Sequence, residues 1–210
     1  MKNDEPRRRT LGVLLFPGFE LLDVFGPLEA FGMRVAKPHF DTVLLAEHAG
    51  PVESAQGPKA LAEAGIDARP VDLVLVPGGI GTRKEVDNER LTRWISRCSA
   101  DAELVMSVCT GAALLARAGV LDERQATSNK AAFSWVVSQG PRVRWVKQAR
   151  WVEDGKFWTS SGVSAGIDMA LAVIARLIRL ELAEELAVLM EYEWHRDAAH
   201  DPFAAVHKLV

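Results

Sequence analysis

The stretch Glu103-Leu104-Val105-Met106-Ser107-Val108-Cys109-Thr110-Gly111-Ala112-Ala113-Leu114-Leu115 decides the fold. Glu103 to Val108 is a short apolar, β-branched run, the pattern of a strand buried on both faces. From Gly111 onward the small residues Ala112 and Ala113 open an Ala/Leu pattern that suits a helix. Cys109 therefore stands at a strand-to-helix turn, the placement of a nucleophile elbow, with the N–H groups of the following helix pointing at its side chain. Those groups and the helix dipole favour an anion, so the sequence predicts a thiolate accessible near neutral pH. The plainer alternative is a buried structural thiol, the usual state of a single cysteine.

Upstream, Asp72 to Val76 is another short apolar strand, and it runs into Pro77-Gly78-Gly79-Ile80-Gly81-Thr82. These glycines let the backbone approach a ligand or side chain closely. A phosphate cradle is not indicated, because the spacing is not G-x-G-x-x-G and no Lys-Ser/Thr pair follows. Leu11 to Phe16 reads as a central strand stopped by Pro17-Gly18. Leu21, Leu22, Val24, Phe25, Leu28 and Phe31 then recur at helical spacing, with Pro27 tolerated near a helix start or kink. Asp23 falls in this connection, where the alternative to a functional role is a helix N-cap; nearby Glu20 reads as solvated. Phe40 to Ala46 is a strand, His48 to Lys59 a loop, and a buried Leu/Ala segment runs to Gly65. Asn88 to Ser99 is an amphipathic helix with Cys98 on its core side.

Downstream of Cys109 the helix reaches Ala118, with Gly119 as its C-cap. A strand at Gln125 to Ser128, a helix at Lys130 to Ser138, and a hairpin of Arg144–Val152 with Lys156–Thr159 follow. Ser160 to Gly166 opens a long helix, Ile167 to Leu180, with the N–H groups of Gly162 and Val163 available at its start. Leu182 to Trp194 makes a last helix. The expected layout is a disordered basic tail at 1–10, one α/β domain at 11–195, and a polar tail at 196–210 carrying His200 and His207. His195, His200 and His207 match no standard metal-ligand spacing, so no metal is expected. Trp135, Trp145, Trp151 and Trp158 read as core or interface residues.

Strands alternating with helices imply a doubly wound, mostly parallel sheet with helices on both faces, whose working groups gather at the carboxyl ends of the strands. Asp23, Gly78-Gly79, Cys109 and Gly162-Val163 all follow strands at that edge. The 210 residues suit one such domain, and 49% hydrophobic with 25% charged residues is an ordinary globular balance. A formal net charge of -3, with Arg7-Arg8-Arg9 the one basic block, argues against nucleic acid and anionic membrane as partners. No apolar run of about 18 residues exists, and the short run after Arg9 lacks a cleavage pattern, so neither span nor leader is expected. Two cysteines without a disulfide framework fit the cytoplasm.

Phe16-Pro17-Gly18, Leu22-Asp23-Val24, Pro77-Gly78-Gly79, Ser107-Val108-Cys109-Thr110-Gly111 and Gly162 to Met169 resemble the ThiJ/PfpI superfamily over nearly all of residues 11–190. That superfamily shares a flavodoxin-like fold with the class I glutamine amidotransferases. Cys-Thr-Gly at the elbow together with Asp23 is most similar to isocyanide (isonitrile) hydratases. The resemblance implies a small-molecule substrate, no cofactor and a homodimer. It makes Cys109 the nucleophile and Asp23 the acid–base group beside its sulfur. It assigns Thr110, Gly78 and Gly79 to stabilising negative charge there, and Gly162 and Val163 to backbone donors near the pocket. Protease-like members carry His after the cysteine, where Thr110 stands here; hydratase-like members commonly carry His where Asn129 stands.

The reaction so implied is hydration of an isocyanide to an N-substituted formamide by a lyase. A glyoxalase-like enzyme acting on 2-oxoaldehydes is an alternative, although its usual Glu and His partners are not in place. A non-enzymatic sensory module is another, either a redox sensor built on Cys109 oxidation or a domain of an arabinose-type regulator. The 210 residues show no basic helix-turn-helix segment, which weighs against the last.

Overall fold

The computed structural model describes residues 7–210. The strands run from two to seven residues, and the segments between them include the helices. The order is β1 (Arg9–Leu14), α1 (Leu21–Gly32), β2 (Phe40–Ala46), β3 (Gly50–Glu53), β4 (Lys59–Ala62), β5 (Ala64–Gly65), β6 (Leu73–Val76), α2 (Thr82–Glu85) and α3 (Glu89–Asp101). It continues with β7 (Leu104–Ser107), α4 (Gly111–Arg117), β8 (Gln125–Ala126), α5 (Phe133–Gln139), β9 (Arg144–Trp145), β10 (Trp151–Asp154) and β11 (Phe157–Ser160). Three helices end the chain: α6 (Ala165–Leu177), α7 (Leu180–Leu189) and α8 (Phe203–Val206).

The main sheet has the strand order β10-β11-β7-β6-β1-β2-β5. All its pairings are parallel except β10 with β11. Strands β6 and β7 are buried at every position, which is why their sequences do not alternate and only Ser107 at the end of β7 is polar. Helices α1, α6 and α7 pack together, while α4 packs with α2, α3 and α5, which sets up two helical layers. This is the doubly wound sheet that the alternating pattern predicts, and the flavodoxin-like fold that the family resemblance implies.

Several segments depart from the sequence reading. The expected loop at 48–59 holds β3 and the start of β4, an antiparallel hairpin with Gly50 opposite Ala62 and Glu53 opposite Lys59. The basic tail expected to reach residue 10 falls partly outside the described residues, at 1–6. Arg9 and Thr10 already belong to β1, and Arg7 pairs with Asp72 while Arg9 pairs with Glu103 over 2.7 Å. Residues 144–152 are not one strand, since β9 pairs in parallel with β8 and only β10 joins the hairpin with β11. Helix α7 stops at Leu189, five residues early, because Tyr192 and Trp194 turn back to bond Asp168. The polar tail is partly structured: it carries α8, and Asp201 and Ala204 are buried.

Candidate active site

The register sets the site. Val76 of β6 lies beside Ser107 of β7, and Ser107 beside Thr159 of β11. The three chains therefore leave the sheet side by side as Pro77-Gly78, Val108-Cys109 and Ser161-Gly162. Cys109 sits at φ 57°, a left-handed conformation that costs a non-glycine residue about 1–3 kcal/mol. Its neighbours hold it there: the Cys109 N–H donates to Ser161 O over 3.3 Å, and the Cys109 carbonyl accepts the Ser128 hydroxyl over 2.7 Å. The elbow at Cys109 is thus present, clamped from two other segments.

Asp23 is not the helix cap. Glu20 occupies the N-cap position of α1, and no side chain caps it. Asp23 lies in the first turn, fully buried, and its Oδ2 accepts the Gly78 N–H over 2.8 Å. Only glycine fits at 78, since a Cβ there would stand 2.5 Å from Thr110 N and 2.9 Å from Asp23 Oδ2. The carboxyl adjoins the Cys109 thiol, and each group acts on the other's protonation.

Burial pushes the Asp23 carboxyl up to about 8, against the Gly78 hydrogen bond that stabilises its charged form. Near neutral pH it is mostly a carboxylic acid. Cys109 corrects the expectation of an accessible thiolate. Its side chain is buried, and that burial drives the thiol well above its ordinary range, with Asp23 adding to the effect. The Thr110 N–H and the Asn129 amide pull in the opposite direction without prevailing. Desolvation outweighs the pull of a seven-residue helix, so the resting pair holds its protons at pH 7.

The expected donors divide into two groups. The Gly78 N–H is taken by Asp23, and the Gly79 N–H donates to Thr110 Oγ1 over 3.1 Å. The Thr110 hydroxyl also lies 3.1 Å from Thr82 Oγ1, so it ties the glycine loop to the elbow, leaving its N–H to face the sulfur. The N–H groups of Gly162 and Val163, by contrast, find no acceptor among the described residues, and both residues line a cleft of about 310 Å³. Asn129 lines it too. The sequence marks Asn129 only as a departure from the histidine of similar proteins, yet its side-chain amide lies near the thiol and pulls its titration downward. A Cβ at Gly162 would stand 3.0 Å from Cys109 Sγ and 2.2 Å from Asn129 Nδ2, which places both residues against the thiol. Arg83, stacked 3.3 Å above the Trp135 ring, is within electrostatic range of Cys109. Neither Arg83 nor Ser128 carried a sequence signal, because each contact is made across long chain separations.

The sequence model of the DJ-1/PfpI family matches residues 9–176. The chain belongs to the DJ-1/PfpI family. Over 183 residues it is 32% identical to an isonitrile hydratase of Pseudomonas putida, covering 87% of this chain and 78% of that one. Over 191 residues it is 29% identical to the HTH-type transcriptional regulator GbdR of Pseudomonas aeruginosa, covering 88% of this chain. The chain spans about half of that regulator, 51% of its length. A solved ThiJ/PfpI family protein from Pseudomonas syringae superposes with a TM-score of 0.82 at 25% identity, over 99% of this chain and 87% of that one. The DJ-1/PfpI family thus holds both enzymes and regulators among these relatives.

Other sequence candidates in this DJ-1/PfpI chain lie away from the elbow. Cys98 is partly buried on α3, and burial pushes its thiol up to about 12, so it is inert. Among the described residues no group of three His, Cys, Asp or Glu side chains is placed to hold a metal. His207 instead lines the cleft. Trp151 and Trp158 are core residues, whereas Trp135 and Trp145 are partly buried. No helix among the described residues is long and apolar enough to cross a membrane.

Proposed function

We propose that the protein is a cysteine-dependent lyase that hydrates an isocyanide to an N-substituted formamide. The observation that carries this reading is the apposition of Asp23, a buried carboxylic acid, and Cys109 at a strained elbow. The relative named isonitrile hydratase supports the choice of substrate. In the resting site both groups keep their protons, and loss of one proton from the pair produces the sulfur nucleophile. The sulfur attacks the terminal isocyanide carbon, forming the S–C bond, and Asp23 delivers a proton to that carbon to give a thioimidate. Asp23, now a carboxylate, takes a proton from water as the water oxygen bonds to the same carbon. The C–S bond then breaks, the sulfur regains its charge, and the imidic acid tautomerises to the formamide. General acid–base help of this kind contributes about 10²–10⁴ in rate.

Thr110 N–H and the Asn129 amide stabilise charge on the sulfur, while the Gly162 and Val163 N–H groups are the open donors for the substrate end. Gly78 and Gly79 act indirectly, by holding Asp23 and Thr110. Two free cysteines fit a cytoplasmic enzyme, and a homodimer is part of the same reading. Incubation of reduced protein with cyclohexyl isocyanide, following formamide by chromatography, tests it. Absence of turnover by folded protein defeats it.

A ligand-sensing role is the second reading, favoured by the 29% identity to a transcriptional regulator. Saturable binding of a small molecule without conversion supports it over catalysis.

A further inference from the structure

The family match ends at residue 176, yet the cleft beside Cys109 is walled in part by residues beyond it. Asn129 and Gly162 form its inner side, against the sulfur. Leu22 of α1 and Phe203 of α8 line the same cleft, and they are 43% and 49% exposed. Large apolar side chains left open inside a cleft are suited to an apolar ligand. Lys130 is also in the lining, but its ammonium is given to Thr127 Oγ1 at 2.7 Å and Ala149 O at 2.6 Å.

Phe203 is held in place by a chain of buried contacts. Asp168, buried in α6, accepts Arg150 Nε at 2.6 Å, the Tyr192 hydroxyl at 3.0 Å and the His195 N–H at 2.9 Å. The Arg150 N–H donates to Ala198 O, and the Asp201 N–H to Gln148 O, which lays the C-terminal segment along the connection before β10. Asp201 Oδ1 then accepts the Phe203 N–H over 3.0 Å and starts α8. The backbone of Phe203 is thus anchored while its side chain stays half open to solvent at the cleft.

We infer that Phe203, with Leu22 facing the same cleft, is a specificity-determining residue that selects reactants bearing an apolar, ring-sized substituent. As a statement about isocyanides the inference rests on the function proposed above. As a statement about the cleft it rests on geometry alone. Phe203 thereby adds to the wall a residue outside the family match, alongside Leu22 within it.

The test compares wild type, F203A and F203L on cyclohexyl and methyl isocyanide. The cyclohexyl-to-methyl ratio of kcat/KM is expected to fall about tenfold in F203A, through KM, and to recover in F203L. An unchanged ratio in folded F203A overturns the inference. If wild type converts no isocyanide, the proposed reaction fails, and the wall is then read by alkylation of Cys109 with N-benzyliodoacetamide against iodoacetamide, measured on the Cys109 peptide by mass spectrometry. A benzyl preference lost in F203A supports the wall; equal ratios in both proteins overturn it. Should F203A not fold, L22A carries the same comparisons.

Discussion

Asn129 Oδ1 accepts the Ala132 N–H over 2.9 Å, and its amide nitrogen lies beside Gly162 on the side of the Cys109 sulfur. Asn129 is therefore a fixed neutral donor, where a histidine would add a titrating group. If that amide bonds the sulfur once it is charged, N129A is expected to cost about tenfold to a hundredfold in kcat. G162A is expected to act through the same contact, because its Cβ would intrude to 2.2 Å from Asn129 Nδ2. Steady-state kinetics of both variants check this; wild-type kcat in N129A would show that the amide is idle.

Protonation of the Cys109–Asp23 pair predicts a distinct pH profile. One proton must leave the pair before attack, so kcat/KM is expected to rise with pH and level near 8, where Asp23 releases its proton. In D23N the neighbouring charge is gone, and the Cys109 thiolate, followed by its ultraviolet absorbance, is expected to appear at lower pH than in wild type. A D23N thiol titrating at or above the wild-type pH would contradict the coupling.

Stability carries the same signature. Asp23 titrates near 3.8 when solvated and about 8 when folded, so between these values the native state holds the extra proton. Its contribution to stability is complete below the lower value and is lost as pH rises through the upper one. The Tm of D23N relative to wild type is therefore expected to climb from about pH 5 to about pH 8. Parallel Tm profiles would rule the raised carboxyl out.

Asp168 anchors the C-terminal wall, and its loss is expected to be structural. D168A strands the Arg150 guanidinium, whose side chain is only 6% exposed, without its carboxylate. Breaking a buried pair on one side costs about 3–5 kcal/mol, measurable by urea unfolding. A loss under about 1 kcal/mol would mean that the segment is held by other contacts.

The elbow was legible because an all-buried strand and an Ala-rich helix leave only one place for Cys109-Thr110-Gly111. The β3–β4 hairpin was hidden by Gly50, Pro51, Gly57 and Pro58, whose turn chemistry masks the alternating burial of Lys59–Ala62. The thiol's protonation is not legible for a different reason. Helix dipole and N–H donors are local and visible in a sequence, whereas the desolvation that exceeds them is a property of the assembled core. Asn129 and Asp168 escaped likewise, since a single polar residue shows nothing of what it faces until the fold brings Cys109 or Arg150 beside it.

The most direct test of the Cys109–Asp23 pair is formamide production from cyclohexyl isocyanide by wild type, C109A and D23N, each shown to be folded by its Tm. Turnover by wild type, none by C109A, and a loss of about 10²-fold or more in D23N is the predicted result. Formamide production at the wild-type rate by folded C109A would contradict the account.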